Sequence, residues 1–229
     1  PEISFFSYCK ELLEKYENTQ KVLWICGTNY LGEYTSEYSY MFTQHLLPCG
    51  WASWSDKFLK FYDGEMLTYK DPVKRKQFCE SYKSKALLHQ RLQSLDGEYR
   101  RKENNNGFKS WDYQMLFSLR SNELLGVSPV YNQIRNIGAD QFSIHGGTSL
   151  DKTMTKRFCE IPTKELDFPL KHPDVVEIDE KYEKLISNII LLPIGMRIKM
   201  RINSIVKKIL HIDPYASLSD EIKKRVHKK

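Results

Sequence analysis

The chain has 229 residues and a net charge of +6, and 41% of its residues are hydrophobic. This composition supports a sizeable core and excludes general disorder. No run of 18 apolar residues occurs, so no transmembrane helix is predicted, and the acidic, amphipathic first segment is unlike a signal peptide. The five cysteines are scattered without a C-x-x-C pair, a pattern typical of reduced thiols and of a cytoplasmic protein.

The first half of the chain predicts helices that alternate with short strands. Helical spacing over residues 2–17 is followed by a buried strand, KVLWICG (21–27), and then by a polar loop. A second strand is predicted within YMFTQHLL (40–47). Gly50 predicts a tight bend just before Trp51.

The middle of the chain predicts two long helices separated by a loop. Asp71 followed by proline is a typical helix start, and the pattern predicts one helix from there to about Leu95. The polar stretch DGEYRRKENNNGFK (96–109) predicts a loop. Ser110 is then predicted to cap a helix, WDYQMLFSLRSNELL, that leads into a strand within GVSPVYNQI (126–134).

The last third predicts an extended segment and then a helical tail. Residues 151–180 contain three prolines and little periodicity, whereas a helical region begins near Lys181 and is interrupted near Pro193. The alternation of helices and strands in the chain as a whole favours the α/β class.

Positive charge is concentrated in the tail. Residues 181–229 contain 12 Lys or Arg and 4 Asp or Glu, a net charge of +8, whereas residues 1–180 carry a net charge of −2. Residues 193–211 combine five basic residues and no acidic residue with isoleucines at helical spacing, so they predict binding to an anionic membrane surface. The alternative is a terminal helix that packs its isoleucines on the body. Nucleic acid is not predicted, because the tail has no recognised nucleic-acid-binding motif.

Three groups of residues are candidates for chemistry. Asp112 lies in the first turn of a predicted helix, where it can act as a general base or simply stabilise the helix. His145 precedes two glycines and can reach a phosphate or a metal, or be an ordinary loop residue. Trp51, Trp54 and Trp111 can form a platform for a sugar or can belong to the core.

Several enzyme classes have no support in the sequence. The chain contains no H-E-x-x-H, no P-loop, no G-x-S-x-G and no G-x-G-x-x-G motif. The metalloprotease, NTPase, α/β-hydrolase and dinucleotide-binding classes are therefore not predicted.

Four stretches together resemble one family. They are WICGTNYLG (24–32), PCGWASWSDKFLKFYD (48–63), SWDYQMLFSLRSNELLGVSPVYNQIRNIG (110–138) and FPLKHP (168–173). Their order and spacing are similar to bacterial glycosyltransferases with the GT-A fold, which are family-2-like nucleotide-diphospho-sugar transferases distantly similar to the N-acetylglucosaminyltransferase I group. The resemblance covers about residues 1–175.

The resemblance implies an inverting transfer of sugar from a nucleotide-diphospho-sugar to the hydroxyl of a glycan or lipid-linked acceptor, as in surface polysaccharide synthesis. It implies that Asp112, in a Trp-Asp motif, is the catalytic base. It further implies Mn²⁺ or Mg²⁺ as cofactor, with His145 near the metal or the diphosphate. Donor or acceptor contacts are implied for Asn29, Tyr30, Gly50, Trp51, Trp111 and His145.

In that family PEISFF resembles what directly follows the acidic metal motif, so the nucleotide-binding half is expected to be absent from this chain. We therefore expect residues 1–180 to form the acceptor and catalytic part of a GT-A-like mixed sheet with flanking helices. Residues 181–229 are expected to form a basic amphipathic helical tail. The chain alone is expected to be inactive, with an exposed apolar edge on KVLWIC.

A second hypothesis is a non-catalytic carbohydrate-binding or membrane-docking module. It keeps the carbohydrate-facing aromatic surface and the basic tail without donor chemistry. Under either hypothesis the expected location is cytoplasmic, with peripheral attachment to the inner face of the membrane.

Overall fold

A computed structural model describes residues 1–138, 153–214 and 216–226. These residues form a four-stranded mixed sheet flanked by helices, which confirms the predicted mixed α/β class. In chain order the elements are α1 Ser4–Tyr16, β1 Val22–Cys26, β2 Tyr40–Thr43, β3 Trp51–Ala52, α2 Ser55–Phe61, α3 Pro72–Glu80, α4 Lys85–Glu103, α5 Asp112–Ser121, β4 Leu125–Pro129, α6 Thr153–Phe158, α7 Glu180–Ile190, α8 Ile194–Ile209 and α9 Leu218–Val226.

The sheet has the strand order β2-β4-β1-β3. β1 is parallel to β4, and the two outer strands run antiparallel to their neighbours. Strand β1 therefore has a partner on each side, and all five of its residues are buried. The expectation of an exposed apolar edge on KVLWIC is wrong, because β4 pairs along one edge of β1, β3 pairs with Ile25 and Cys26 on the other edge, and all five residues of β1 are buried.

The helical segment after Asp71 begins as predicted but is divided in two. The Asp71 side chain accepts a hydrogen bond from the backbone N–H of Lys74 at 2.8 Å, with proline in the first turn of α3. The prediction of one helix to Leu95 is wrong, because Ser84 starts a second helix by accepting a bond from the N–H of Leu87. This second helix, α4, continues to Glu103 through most of the segment predicted to be a loop.

Helix α5 carries the Trp-Asp motif at its start. Its N-cap is Trp111, without a side-chain capping bond, so the predicted cap at Ser110 is wrong. The residues from Gln114 to Ser121 are all buried, and the helix packs against α3 and α4. A short connection over residues 122–124 then returns the chain into β4. The first turn of α5 consequently lies toward the carboxyl ends of β4 and β1.

The chain divides into two compact units, residues 1–189 and 190–229. The boundary lies after the predicted one at 180/181, because α7 is bonded to the sheet unit. The hydroxyl of Tyr182 lies 2.6 Å from that of Ser128 in β4 and donates to Asn29 at 3.2 Å.

No helix among the described residues combines the length and apolarity needed to cross a lipid bilayer. All five cysteines are free thiols.

Candidate functional site

Three loops meet at the carboxyl end of β1. The backbone N–H of Gly27 donates to the carbonyl of Gly50 at 2.7 Å, and the N–H of Gln133 donates to the carbonyl of Gly27 at 2.8 Å. The loops that follow β1 and β4 and the loop that precedes β3 thus lie side by side. Ligands of open α/β sheets bind at this edge, beyond the carboxyl ends of the strands.

Gly50 forms the tight bend that the sequence predicts. Its φ is +60°, in the left-handed region that favours glycine, and a Cβ at this position would lie 2.4 Å from the side chain of Ile134. Backbone geometry and close packing therefore both require glycine here. The bend directs Trp51 into β3 beside β1.

Three tryptophans and Phe58 form a cluster at this edge, which we call the tryptophan cluster. Trp51 stacks on Trp24 with ring centroids 4.3 Å apart and on Phe58 at 5.9 Å, and it lies 5.7 Å from Trp111. Trp24 is fully buried, whereas Trp51 is 40% exposed and Trp111 is 38% exposed. Trp54 is instead a packing residue, since its indole N–H donates to a backbone carbonyl of α1 at 3.0 Å. The cluster thus combines a rigid base with two accessible aromatic surfaces.

Asp112 lies next to this cluster, in the first turn of α5. Its Oδ1 atom is buried and has no hydrogen-bond partner among the described residues. Burial raises the pKa of four neighbouring groups, and the carboxylate of Asp112 adds to each increase; they are Tyr30, Cys49, Tyr62 and Tyr113. The carboxylate of Asp112 therefore lies close to three tyrosines and a thiol.

Two arginines that the sequence analysis missed lie near Tyr30. Burial raises the pKa of the half-buried Tyr30, and the positive charge of Arg91 partly opposes this increase. Burial lowers the pKa of Arg157, and Arg91 lowers it further. Tyr30 also contacts Phe158 of α6, with ring centroids 4.8 Å apart. No local motif marks either arginine, because they come from α4 and α6 and meet only in the folded chain.

Asn29 belongs to the interior rather than to the accessible surface. It is fully buried, and its amide nitrogen donates to the carbonyls of Pro129 and Val130 at 3.0 and 3.1 Å. Its Oδ1 accepts from the N–H of Leu31 and from Tyr182. These bonds hold the loops after β1 and β4 together, so they favour a structural role over the predicted acceptor contact.

The sequence predicts that His145 lies near the metal ion or the diphosphate. His145 lies outside the described residues. Within the described part of the chain, no three His, Cys, Asp or Glu side chains come together as a group that could hold a metal ion. Mn²⁺ or Mg²⁺ remains a prediction.

A separate cluster of buried polar residues surrounds Arg120 and Glu183, and its role is structural. Arg120 is 1% exposed and donates to Oε1 of Glu183 at 2.8 Å and to the carbonyl of Ser81 at 2.9 Å. The other oxygen of Glu183 accepts from the hydroxyl of Thr43 and from the N–H of Gln44. A cavity of about 460 Å³ borders this cluster. Because both carboxylate oxygens are bonded, the cluster fastens α5 and α7 to β2 rather than offering a free base.

The structure brings five of the predicted residues to one edge of the sheet, namely Tyr30, Gly50, Trp51, Trp111 and Asp112. Comparisons with protein-family models, curated proteins and solved structures find no match for this chain. The geometry of this edge therefore carries the functional argument.

Proposed function

We propose that the chain is the acceptor and catalytic part of an inverting glycosyltransferase. It would transfer a sugar from a nucleotide-diphospho-sugar to a hydroxyl of a glycan or lipid-linked acceptor. The observation that carries the proposal is the buried, unpaired Oδ1 of Asp112 beside the partly exposed rings of Trp51 and Trp111. A carboxylate oxygen without a hydrogen bond has a lone pair free for the proton of a hydroxyl that reaches it, and indole rings bind the apolar faces of sugars.

The proposed reaction needs one proton transfer and one displacement. The acceptor hydroxyl donates its proton to Asp112 as its oxygen attacks the anomeric carbon. The bond between this carbon and the diphosphate oxygen breaks, and the nucleoside diphosphate leaves with the electron pair. The acceptor oxygen attacks the face opposite the leaving group, so the anomeric centre is inverted. The transition state has oxocarbenium character, as in inverting glycosidases. The proton then leaves Asp112 to solvent.

The surroundings of Asp112 suit this role. Asp112 lies in the first turn of α5, at the positive end of the helix dipole, where a negative charge is favourable. Tyr30, Tyr62 and Tyr113 lie close to this carboxylate, since its charge contributes to the raised pKa of each. An acceptor sugar that stacks on Trp51 would then place a hydroxyl near the base.

The second candidate function is carbohydrate binding without catalysis. The same partly exposed rings of Trp51 and Trp111 support it, because aromatic platforms bind sugars whether or not a base is present. In this case Asp112 would serve as a helix-stabilising residue. The two functions differ in whether a nucleotide sugar is consumed.

The test is a screen of nucleotide sugars with Mn²⁺ on the complete gene product, with release of nucleoside diphosphate as the readout. We expect Asp112→Asn to lower turnover by about 10²- to 10⁴-fold, the usual contribution of a general base. The melting temperature should change little, because Oδ1 of Asp112 bonds to no described residue.

Asp56→Asn is the matched control, since Asp56 is also a first-turn acid, at the exposed start of α2. Its turnover should equal that of the wild type. If Asp112→Asn turns over as fast as the wild type, Asp112 is not the general base. Saccharide binding without consumption of any nucleotide sugar would favour the non-catalytic module.

A further inference from the structure

Helix α8 separates its residues into two chemically distinct faces. Isoleucines recur along it at intervals of three or four positions, and at 100° per residue they occupy a sector of only about 80°. These residues are Ile194, Ile198, Ile202, Ile205 and Ile209. A continuous apolar stripe therefore runs the length of the helix.

This stripe is not covered within its own compact unit. The five isoleucines are between 53% and 69% exposed, and no residue of α8 is buried. Leaving so many large aliphatic side chains in water is unfavourable, because the removal of apolar surface from water is the main favourable term in folding and association. The stripe thus requires an occupant.

The charges beside the stripe identify the kind of occupant. Helix α8 contains five basic residues and no acidic one. Arg197, Arg201 and Lys208 fall within a sector of about 40° that adjoins one side of the isoleucines, and Lys199 lies beyond the other side. An apolar stripe with positive charge on both borders is complementary to a bilayer surface, which offers acyl chains between anionic headgroups.

We propose that α8 lies in the plane of an anionic membrane surface, with its isoleucines in the acyl boundary and its basic side chains on the lipid phosphates. The helix has 16 residues, which is too short to cross the hydrocarbon core of a bilayer. A nucleic acid would satisfy the basic residues but would leave the isoleucines in water. This attachment is independent of glycosyl transfer, because it uses none of the residues around Asp112.

The test is co-sedimentation of the 229-residue protein with phosphatidylcholine vesicles, with and without phosphatidylglycerol, at low and high salt. We expect binding only to the vesicles that contain phosphatidylglycerol, and weaker binding at high salt. The double variant Arg197→Gln/Arg201→Gln should lower the partition coefficient by about 30-fold, or about fivefold for each charge. Lys10→Gln/Lys76→Gln, on exposed positions of α1 and α3, removes the same charge and should bind as the wild type does.

The apolar contribution is tested separately. Ile202→Ser should lower binding about tenfold or more, because the side chain leaves the acyl boundary. Leu67→Ser, at a position 78% exposed in a turn of the first unit, should leave binding unchanged. Equal binding to both kinds of vesicle, or unchanged binding of Ile202→Ser, would overturn the proposal. So would a chain that binds no vesicle and melts at a lower temperature with Ile202→Ser, since its isoleucines would then pack on protein.

Discussion

His45 should make the stability of the first unit strongly dependent on pH. Its ring is 1% exposed, and Nε2 lies 3.1 Å from the carbonyl oxygen of Glu183 and 3.0 Å from the hydroxyl of Ser187. Nε2 therefore carries the hydrogen in the neutral ring, and Nδ1 has no partner among the described residues. Burial lowers the pKa of His45 from 6.5 to about 4, although the carboxylate of Glu183 lies nearby and opposes the shift.

The sign and size of the effect follow from this pKa. The unfolded chain accepts a proton at His45 near pH 6.5, whereas the folded chain accepts it only near pH 4. The stabilisation is complete above pH 6.5 and is lost as the pH falls toward 4. Between pH 7.5 and pH 4.5 the loss is about 2–3 kcal/mol, a large part of the stability of an ordinary domain.

The assay is urea unfolding at a series of pH values, followed by tryptophan fluorescence. All four tryptophans lie in residues 1–189, so the signal reports on the first unit. We expect the wild type to lose about 2–3 kcal/mol more than His45→Gln over this pH range. His89→Gln is the control, because His89 is exposed on α4, and its curve should follow that of the wild type. Parallel curves for the wild type and His45→Gln would show that His45 gains its proton without a penalty, and the argument from burial would fail.

Two further predictions concern stability at neutral pH. Gly50→Ala should cost about 3 kcal/mol, because it adds both a positive-φ penalty and a clash with Ile134. Gly107→Ala separates the two effects: its φ is +62° but no atom lies within 4 Å, so it should cost only about 1–2 kcal/mol. Equal losses in urea unfolding would mean that Ile134 moves aside without cost. Lys57→Met should cost about 3 kcal/mol, because the buried ammonium donates to three backbone carbonyls at 2.7–3.2 Å. Lys60→Met, on the exposed side of the same helix, should be nearly neutral, and a neutral Lys57→Met would show that water replaces the ammonium.

The sequence predicts best where one local signal has no competitor. The apolar run of β1 is short and bounded by polar residues, and its complete burial agrees with that pattern. The bend at Gly50 and the helix start at Asp71 were also predictable, because each depends on the conformation or the side chain of a single residue.

The sequence predicts poorly where neighbouring signals compete. The region around Ser84 contains no glycine or proline, so the break between α3 and α4 is determined by a serine cap that looks ordinary in the sequence. Helix α4 is mostly polar and extends to Glu103, since EYRRKE consists largely of good helix formers even though it has no apolar stripe. The polarity of this segment therefore predicts a loop, whereas its helix propensity and its place in the fold produce the end of helix α4.

The candidate site shows the same limit at the level of contacts. Asn29 and Tyr30 are adjacent after β1, but Asn29 is fully buried and only Tyr30 reaches the region of Asp112. Arg91 approaches the same region from α4, which lies far away in the sequence. A chain position can indicate that a residue lies at the carboxyl edge of the sheet. It does not indicate which side chain turns inward to form hydrogen bonds with backbone groups and which side chain stays accessible.

The two ends of α5 show how a structural carboxylate differs from an available one. At the end of the helix, Arg120 binds Glu183, and both oxygens of that carboxylate have hydrogen-bond donors. At the start, Oδ1 of Asp112 is buried without a donor among the described residues. A buried acceptor without a partner costs roughly 1–3 kcal/mol, so folding stability alone would favour replacing it or bonding it. The fold instead keeps Asp112 beside two exposed indole rings, where an incoming hydroxyl would supply the missing donor.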